Sequence, residues 1–359
     1  MRKIIVLACT ISGPLLMSQI TYAGYDFFKS DGNFKRFSVS AGWLHAMPQG
    51  KANNMKNSTV IVDGTTAENG SISKKEFLNA VDPDYPLENW KLGAINFFFP
   101  NDDSDLSSVS GTSTINGLQN WESANTGLEA KDVDTLGIMM NYHINDNWAV
   151  ELKAGIPPKV DIMGKGQVYA PFSGTVKPDG IGTVLGDIKL KKDISITNLE
   201  QSDTAATARA WLPAAEIHYQ FGKSGINKFR PYVGAGVLYA YFNDIKINSG
   251  IIKDLENAGH KIQNIKDGQA GGALEGRESS ANMKVKVKTD DAFAPIVTLG
   301  ATYDFNDKWF AVGSVSYAKL SNDTTITVKN ENTGESLIKA STTIDIDPII
   351  TYAGLGYRF

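Results

Sequence analysis

The feature that most constrains the fold of this chain is an alternating pattern in residues 345–359. Successive side chains of a strand point to opposite faces, so residues of one parity share a face. One face is almost continuously apolar and ends in two aromatics, in the order Ile349, Thr351, Ala353, Leu355, Tyr357 and Phe359. An apolar strand face that ends in aromatic side chains is typical of a strand that crosses a lipid bilayer. The segment therefore predicts the closing strand of a transmembrane barrel.

Seven further segments show the same period of two, namely residues 37–44, 136–143, 148–156, 215–221, 229–241, 297–305 and 309–317. Their connections alternate between a few residues and several tens of residues, which is typical of an outer-membrane barrel. The pattern predicts an all-β fold: an eight-stranded antiparallel transmembrane β-barrel with short periplasmic turns, long extracellular loops and paired first and last strands. The predicted external loops cover about 48–131, 161–209, 242–291 and 320–341.

Two other fold classes fit the pattern less well. A soluble β-sandwich or a lipocalin-like barrel also alternates, but its second face would be polar, whereas here that face carries many glycines. A helical membrane protein needs about 20 consecutive apolar residues in each span, and beyond the N-terminus the sequence lacks such a run. Hydrophobic residues make up 42% of the chain and charged residues 21%. That composition is compatible with a barrel, because each span needs only about 9–11 alternating residues.

The N-terminus has the features of a secretory signal peptide. Arg2 and Lys3 precede an apolar run, and Ala23 offers a small residue for cleavage. These features predict a signal peptide at 1–23, a mature chain at 24–359 that forms a single barrel, and a location in the outer membrane of a Gram-negative cell. The alternative, a lipoprotein signal that ends at Cys9, would have an apolar core of only five residues.

Cysteine content and charge exclude several classes of function. Cys9 is the single cysteine and lies in the predicted signal peptide. The mature chain would therefore have no disulfide framework and no cysteine-based catalytic or metal site. The formal net charge of the whole chain is −4, so nucleic acid is not an expected partner.

Several motifs resemble those of the OmpW family of small outer-membrane barrels. The most specific is Phe-Arg-Pro-Tyr-Val-Gly-Ala-Gly at 229–236, with Asp-Asn-Trp at 146–148, Asp-Lys-Trp at 307–309 and Gly-Tyr-Arg-Phe at 356–359. The resemblance covers every predicted strand in order. It implies a narrow hydrophobic passage for small apolar molecules, which enter from outside and leave sideways through the wall into the membrane. The external segments are longer than expected for the family, so the resemblance says least about the outer entrance.

Residues predicted to face the barrel interior near the short turns include charges of both signs. A barrel of this size is just wide enough for side chains to fill it, and buried charges are tolerated when they pair. The pattern therefore predicts a charged plug that seals the periplasmic end; a proton or ion path is the alternative interpretation. The plug residues are Glu151, Lys153, Glu216, His218, Arg230, Asp304 and Arg358.

Nearer the external loops, the residues predicted to face the interior are mostly apolar and would line a passage for an apolar ligand. They are Leu44, Met139, Leu238, Ile350 and Tyr352. Pro157 and Pro158 end the third strand and lack the N–H groups that a neighbouring strand would bind. They predict either simple strand termination or a gap in the wall through which a ligand leaves laterally.

Catalytic and cofactor sites are not expected. His218 and Glu216 could form an acid–base pair, but their predicted depth in a filled barrel leaves a substrate no access. The acidic run at 102–105 lacks the glycine and the terminal glutamate of a calcium-binding loop. The sequence therefore predicts a protein that is not an enzyme and has neither a metal site nor a cofactor.

Two functional hypotheses remain. The first is a porin-like hydrophobic conduit for uptake, and the second is a structural or adhesive surface protein that acts through its long external loops, because loops readily carry function. The expected partners are outer-membrane lipid, small hydrophobic solutes and the barrel assembly machinery, which typically recognises a terminal strand of this kind. The pattern does not predict the oligomeric state.

Overall fold

The computed structural model describes residues 35–359, and the predicted signal peptide lies outside them. Among the described residues there are twenty strands, labelled in chain order. They are β1 (Phe37–Met47), β2 (Met55–Thr59), β3 (Thr65–Glu68), β4 (Thr112–Asn116), β5 (Asn120–Ser123), β6 (Gly127–Ala130), β7 (Val133–His143), β8 (Trp148–Gly155), β9 (Lys159–Lys165), β10 (Gln167–Lys177), β11 (Ile188–Asn198), β12 (Ala206–Trp211), β13 (Ala214–Gln220), β14 (Phe229–Ile247), β15 (Met283–Thr289), β16 (Ala292–Asp304), β17 (Trp309–Ala318), β18 (Ser321–Asn330), β19 (Ser336–Asp345) and β20 (Ile349–Arg358).

The helices all lie in the long connections. They are α1 (Lys74–Ala80), α2 (Asn89–Phe98), α3 (Ser249–Lys266) and α4 (Ala270–Glu275), with a 3-10 helix at Gly180–Leu185. The apolar spacing at 251–265 predicts a short helix, and α3 covers that stretch; the side chain of Asn248 caps it by accepting a hydrogen bond from Gly250 N at 2.8 Å. Within 35–359, no helix combines the length and apolarity needed to cross a bilayer.

Eight of the strands close into an antiparallel barrel. Their order around the wall is β13, β8, β7, β1, β20, β17, β16 and β14, and β14 pairs with β13 to complete the circle. The first and last strands are neighbours, with Ser38 opposite Arg358 and Met47 opposite Ile349. The predicted fold class and the predicted pairing of the terminal strands are confirmed.

Two of the short turns have the same construction. The Asn145 side chain accepts hydrogen bonds from the backbone of Asn147 and Trp148, at 2.9 and 2.8 Å. Asn306 accepts the equivalent pair from Lys308 and Trp309, both at 2.9 Å. An asparagine that binds its own following backbone stabilises a tight turn, which explains why both hairpins have an Asn-Asp-x-Trp sequence.

Exposed aromatic side chains surround the barrel at its short-turn end. The ring centroids of Trp309 and Tyr357 are 5.1 Å apart, and those of Tyr357 and Phe359 are also 5.1 Å apart. Trp148 and Tyr219 form a similar edge-to-face contact on another part of the wall. Amphipathic rings favour the membrane–water interface, so this belt marks the periplasmic boundary of the bilayer and places the long connections outside the cell.

Glycines on the inner face make room for large side chains. A Cβ atom at Gly300 would collide with the ring of Tyr232, and one at Gly356 would collide with the ring of Phe310. In a barrel this narrow, an aromatic ring from the neighbouring strand thus occupies the space that a side chain at each of these glycines would need. This accounts for the glycine-rich parity in the sequence.

The long connections fold into a structured outer part. β12, β9 and β6 continue the wall beside the end of β14, which runs on to Ile247 and thus beyond the start of the loop expected at 242–291. β15, β18, β19, β2 and β5 form a five-stranded sheet, and β11, β10, β4 and β3 form a four-stranded sheet. Buried apolar residues of these sheets and of α1, α3 and α4 share one core. The outer part therefore has a hydrophobic interior of its own.

Candidate ligand passage

Four of the predicted plug residues form a charged cluster inside the barrel. Lys153 Nζ lies 2.5 Å from Glu216 Oε1 and 3.7 Å from Glu151 Oε1. The same ammonium group donates hydrogen bonds to Thr298 and Ser316, at 2.8 and 3.1 Å. Low-dielectric surroundings make such pairing necessary, because an unpaired buried charge is costly. Alternation on β8 and β13 positions these groups, since residues two apart point to the same side.

His218 completes this cluster. Its Nε2 atom lies 3.2 Å from Glu216 Oε2 and 3.6 Å from Glu151 Oε1. Its ring stacks on that of Tyr232, with centroids 4.8 Å apart. Asn141 donates a hydrogen bond to the other oxygen of Glu151 at 2.9 Å. The predicted pair of His218 and Glu216 is therefore brought together, and both residues are buried.

The other three plug residues lie closer to the short turns. Arg358 Nη1 pairs with Asp304 Oδ1 at 2.8 Å, and its guanidinium lies 4.4 Å from the ring centroid of Phe310. Arg230 donates to backbone carbonyls of the turns, including those of Phe221 at 3.3 Å and Asp146. These contacts tie the arginine side chains to the turns that close the barrel.

The seven plug residues are balanced in charge and leave little empty space between them. Three are carboxylates and three are Lys or Arg, so the set is neutral when His218 is uncharged. A polar cavity of about 30 Å³ remains among them, lined in part by Ser38, Gln220 and Tyr232. Such a space holds roughly two water molecules. The arrangement therefore fills the periplasmic half of the barrel with paired polar groups.

The five residues predicted to line an apolar passage fall into two clusters. Met139 and Tyr352 are buried together, with Leu44 packed against them. Leu238 is 1% exposed and belongs to a second cluster, against which Ile350 packs. The Tyr352 hydroxyl group donates to Ser40 Oγ at 3.0 Å, so this side chain is anchored to the polar side of the interior.

An apolar cavity of about 100 Å³ lies where the barrel meets the outer part, and is called the mouth cavity below. Residues of nine barrel and outer strands contribute to its wall, and the groups that face it are almost all apolar. Lining residues include Ala46, Val160, Ala208, Ala210, Leu320 and Ile346. Buried surface of this kind favours an apolar ligand, because transfer from water is worth about 25 cal/mol per Å².

The mouth cavity is continuous with the second apolar cluster of the barrel interior. Leu320 lines the cavity and is also packed in the cluster with Leu238. Phe242 and Ile346 also line the cavity and pack against this cluster. Ile350 packs against the same cluster. An apolar lining thus runs from the mouth cavity into the outer half of the barrel, and the charged cluster lies below it.

The barrel wall is interrupted beside this cavity, at Pro157 and Pro158. Pairing with β7 ends at the bond from Ile156 N to Leu136 O, and a new ladder, with β6, begins at the bond from Lys131 N to Asp161 O. On the other side, β8 pairs with β13 as far as Lys153 and Ala214, and the bond from Ala210 N to Pro158 O then begins a new ladder. The two prolines therefore lie at a break between the barrel and its outward extension.

Residues on both edges of this break line the mouth cavity. Lys131 and Val133 contribute from the side of β7, and Val160 contributes from the strand that follows the prolines. The Pro157 carbonyl accepts a hydrogen bond from Arg209 Nη1 at 3.1 Å. The break and the cavity are thus parts of one region of the structure.

Sequence reasoning missed the mouth cavity, because none of the five residues predicted to line the apolar passage contributes to its wall. Its lining comes largely from segments that the sequence presents as polar loops, such as Ala-Thr-Ala-Arg-Ala at 206–210 and Leu320. The strict alternation of alanine with polar residues at 206–210 was the available signal, because it indicates a strand with one small apolar face. The length of the surrounding polar stretch obscured it.

Comparisons with known proteins agree with this architecture. The family model described as the OmpW family matches residues 104–273 and 272–359. Outer membrane protein W of Vibrio cholerae serotype O1 is 26% identical over 226 residues, which are 62% of this chain and 73% of that protein. A protein of Pseudomonas aeruginosa described as dibenzothiophene metabolism operon protein PahQ is 25% identical over 232 residues, 64% of this chain and 74% of that protein.

Solved structures of outer-membrane proteins cover most of the chain. The crystal structure of OprG from Pseudomonas aeruginosa has a TM-score of 0.45 and 15% identity, and covers 91% of this chain and 97% of OprG. The solid-state NMR structure of AlkL has a TM-score of 0.38 and 16% identity, with 92% and 93% of the two chains covered. The family match, by contrast, spans more than half of the sequence.

Proposed function

The chain belongs to the OmpW family of outer-membrane β-barrel proteins, and from this premise we propose that it is a narrow hydrophobic conduit for the uptake of small apolar molecules. The observation that carries the proposal is the apolar lining that joins the mouth cavity to the outer half of the barrel. Small apolar solutes gain free energy there by leaving water. Ions and strongly polar solutes would lose more hydration than the few polar groups of the wall could replace.

The charged cluster makes a straight passage through the barrel unfavourable for an apolar solute. Lys153, Glu151 and Glu216 are buried and paired, and they lie across the interior below the apolar lining. Separating them would leave buried charges without partners, at a cost of several kcal/mol. We therefore assign the plug role to these residues, and the solute must leave by another route.

The break at Pro157 and Pro158 supplies that route in the proposal. Both prolines lack the N–H group that a continuous ladder requires, and the break in the ladder lies next to the mouth cavity. Beyond the wall lies lipid, in which an apolar solute is as well accommodated as in the cavity. Lateral exit therefore avoids both the charged cluster and the periplasmic water.

One relative's description is consistent with an apolar substrate class. The protein named for the dibenzothiophene metabolism operon shares 25% identity over 232 residues with this chain. Dibenzothiophene is an uncharged fused-ring thioether, which is the type of molecule that an apolar cavity would accept. The proposal gives the chain no catalytic role.

Replacing Pro157 and Pro158 together by alanine is expected to lower the initial rate of uptake of naphthalene by intact cells by about three- to tenfold. The new N–H groups allow the ladders beside the prolines to continue, and each additional net backbone bond is worth about 0.5–1.5 kcal/mol against opening. Uptake of labelled naphthalene by cells that produce equal amounts of each variant measures this effect.

Pro231→Ala is the matched control. Pro231 lies in β14, away from the break, and is paired opposite Ala301 in an intact ladder. Its replacement is expected to leave naphthalene uptake unchanged. Equal uptake by the double alanine variant and by the parent protein would refute the lateral exit while leaving the conduit itself in place.

A further inference from the structure

A second apolar cavity lies in the outer part, between α2 and the 3-10 helix at Gly180–Leu185, and is called the tip cavity. It has a volume of about 60 Å³. Its floor is made of buried apolar side chains, among them Phe77, Ile95 and Ile188. Its composition therefore resembles that of the mouth cavity, although different segments of the chain build it.

The rim of the tip cavity is apolar and exposed. Phe98 is 58% exposed, Ile181 is 64% exposed and Val184 is 69% exposed, and all three line the cavity. Large apolar side chains that lie exposed around a cavity usually mark a binding site, because their exposure has no stabilising role in the free protein. Packing in the core of the outer part accounts for the buried apolar side chains of the floor, but it does not account for the exposed apolar side chains of the rim.

A third cavity, of about 30 Å³, lies between the other two and is called the middle cavity. Along β11 and the residue after it, Ile188 lines the tip cavity, Leu190 lines both the tip and the middle cavities, Ile194 lines the middle cavity, and Leu199 lines the mouth cavity. A strand rises roughly 3.3 Å per residue, so this series extends over about 36 Å. The three cavities thus follow one another along a single strand.

The helices that pack beside this strand show the same order. Ile251 at the start of α3 lines the mouth cavity, and Ile262 and Ile265 line the middle cavity. Leu274 of α4 lines both the middle and the tip cavities. The strand β11 and the helix pair α3 and α4 therefore show the same order of cavities, from the exposed tip to the opening of the barrel.

The geometry points to the tip cavity as an additional binding site for small apolar molecules, which captures them from water at the outer end of this series of cavities. This inference rests on the proposed conduit function and adds to it an outer site that precedes the barrel. Apolar solutes are dilute in water, so an exposed apolar site raises their local concentration at the entrance. The tip and middle cavities share walls at Leu190 and Leu274, so the floor of the tip cavity continues into the core of the outer part.

Photolabelling with 3-trifluoromethyl-3-phenyldiazirine, a small apolar carbene precursor, tests the site in the full-length protein in lipid vesicles. Mass spectrometry is expected to find labelled residues in α2 and the 3-10 helix, and excess naphthalene is expected to abolish that labelling. Phe98→Asp is expected to reduce it by about tenfold, since a carboxylate at the rim must be desolvated when an apolar ligand binds. Val184→Asp, on the opposite part of the rim, is expected to act in the same way.

Phe97→Asp is the matched control, because Phe97 neighbours Phe98 on the same helix, is 80% exposed and lies outside the cavity lining. It is expected to keep the labelling of the parent protein. In cells, Phe98→Asp is expected to slow naphthalene uptake at low concentration, and Phe97→Asp is not.

Two outcomes would separate this inference from the conduit function. Tip labelling that naphthalene does not compete with, or that Phe98→Asp and Phe97→Asp affect equally, would overturn the capture site; an adhesive protein surface would give that result. If naphthalene then still protected the mouth cavity from labelling, the conduit function would stand. Competed tip labelling in a protein that does not increase uptake would support the binding site and contradict the conduit.

Discussion

Lys153→Met is expected to destabilise the folded barrel by about 3–5 kcal/mol, the usual cost of removing one partner from a buried ion pair. Methionine approximates the length of the lysine side chain but leaves Glu216 and Glu151 without their cation. Thr298 and Ser316 also lose the donor that lies between them. Urea-induced unfolding in lipid vesicles, followed by tryptophan fluorescence, measures the change in free energy of unfolding.

Two further variants serve as controls for the loss of stability in Lys153→Met. Lys308→Met replaces an exposed lysine in a short turn and is expected to change the free energy of unfolding by less than about 0.5 kcal/mol. Lys153→Met combined with Glu216→Gln removes one of the two unpaired carboxylates and is expected to recover part of the stability. A single Lys153→Met variant as stable as the parent protein would show that the charged cluster does not stabilise the barrel.

Ala208→Phe is expected to lower naphthalene uptake by roughly ten- to a hundredfold. Ala208 lines the mouth cavity, so the added ring occupies the space that the solute would use. Burial of an apolar group of that size is worth about 1.5–3 kcal/mol, and each 1.4 kcal/mol corresponds to a factor of ten. Uptake by intact cells at a solute concentration below saturation is the measurement.

Ala215→Phe is the control for the added bulk. Ala215 is exposed on the outer face of β13, so the new ring points away from the interior and uptake is expected to remain at the parental rate. Overpacking at Ala208 costs about 1–3 kcal/mol, and a comparison of folded protein in the two variants separates that effect from blockage. Unchanged uptake by a folded Ala208→Phe variant would exclude the mouth cavity as part of the route.

The barrel could be predicted from the sequence because its pattern is local. Alternation within each strand defines both faces, and the Asn-Asp-x-Trp turns define where two hairpins reverse. The plug residues follow from the same parity, since Glu151, Lys153 and Glu216 all lie on the face opposite to the lipid-facing apolar residues. Their mutual contacts, however, depend on the register between β8 and β13, which the sequence alone does not give.

The outer part could not be predicted, because its strands pair across long stretches of chain. β2 pairs with β19, so Asn57 lies opposite Ala340 although the two residues are far apart in the sequence. Polar and glycine-rich stretches with such partners have the composition of loops. The mouth cavity depends on these pairings, which is why only the adjoining apolar cluster, at Leu238 and Ile350, was visible in the sequence.

Uptake of two solutes that share one ring system tests the central claim most directly. Cells that produce the protein and cells that lack it are compared for accumulation of labelled naphthalene and of labelled 1-naphthalenesulfonate. The apolar lining predicts faster accumulation of naphthalene alone, because the sulfonate would lose its hydration against a surface that is almost all apolar. Equal enhancement of both solutes, or of neither, would contradict a hydrophobic conduit.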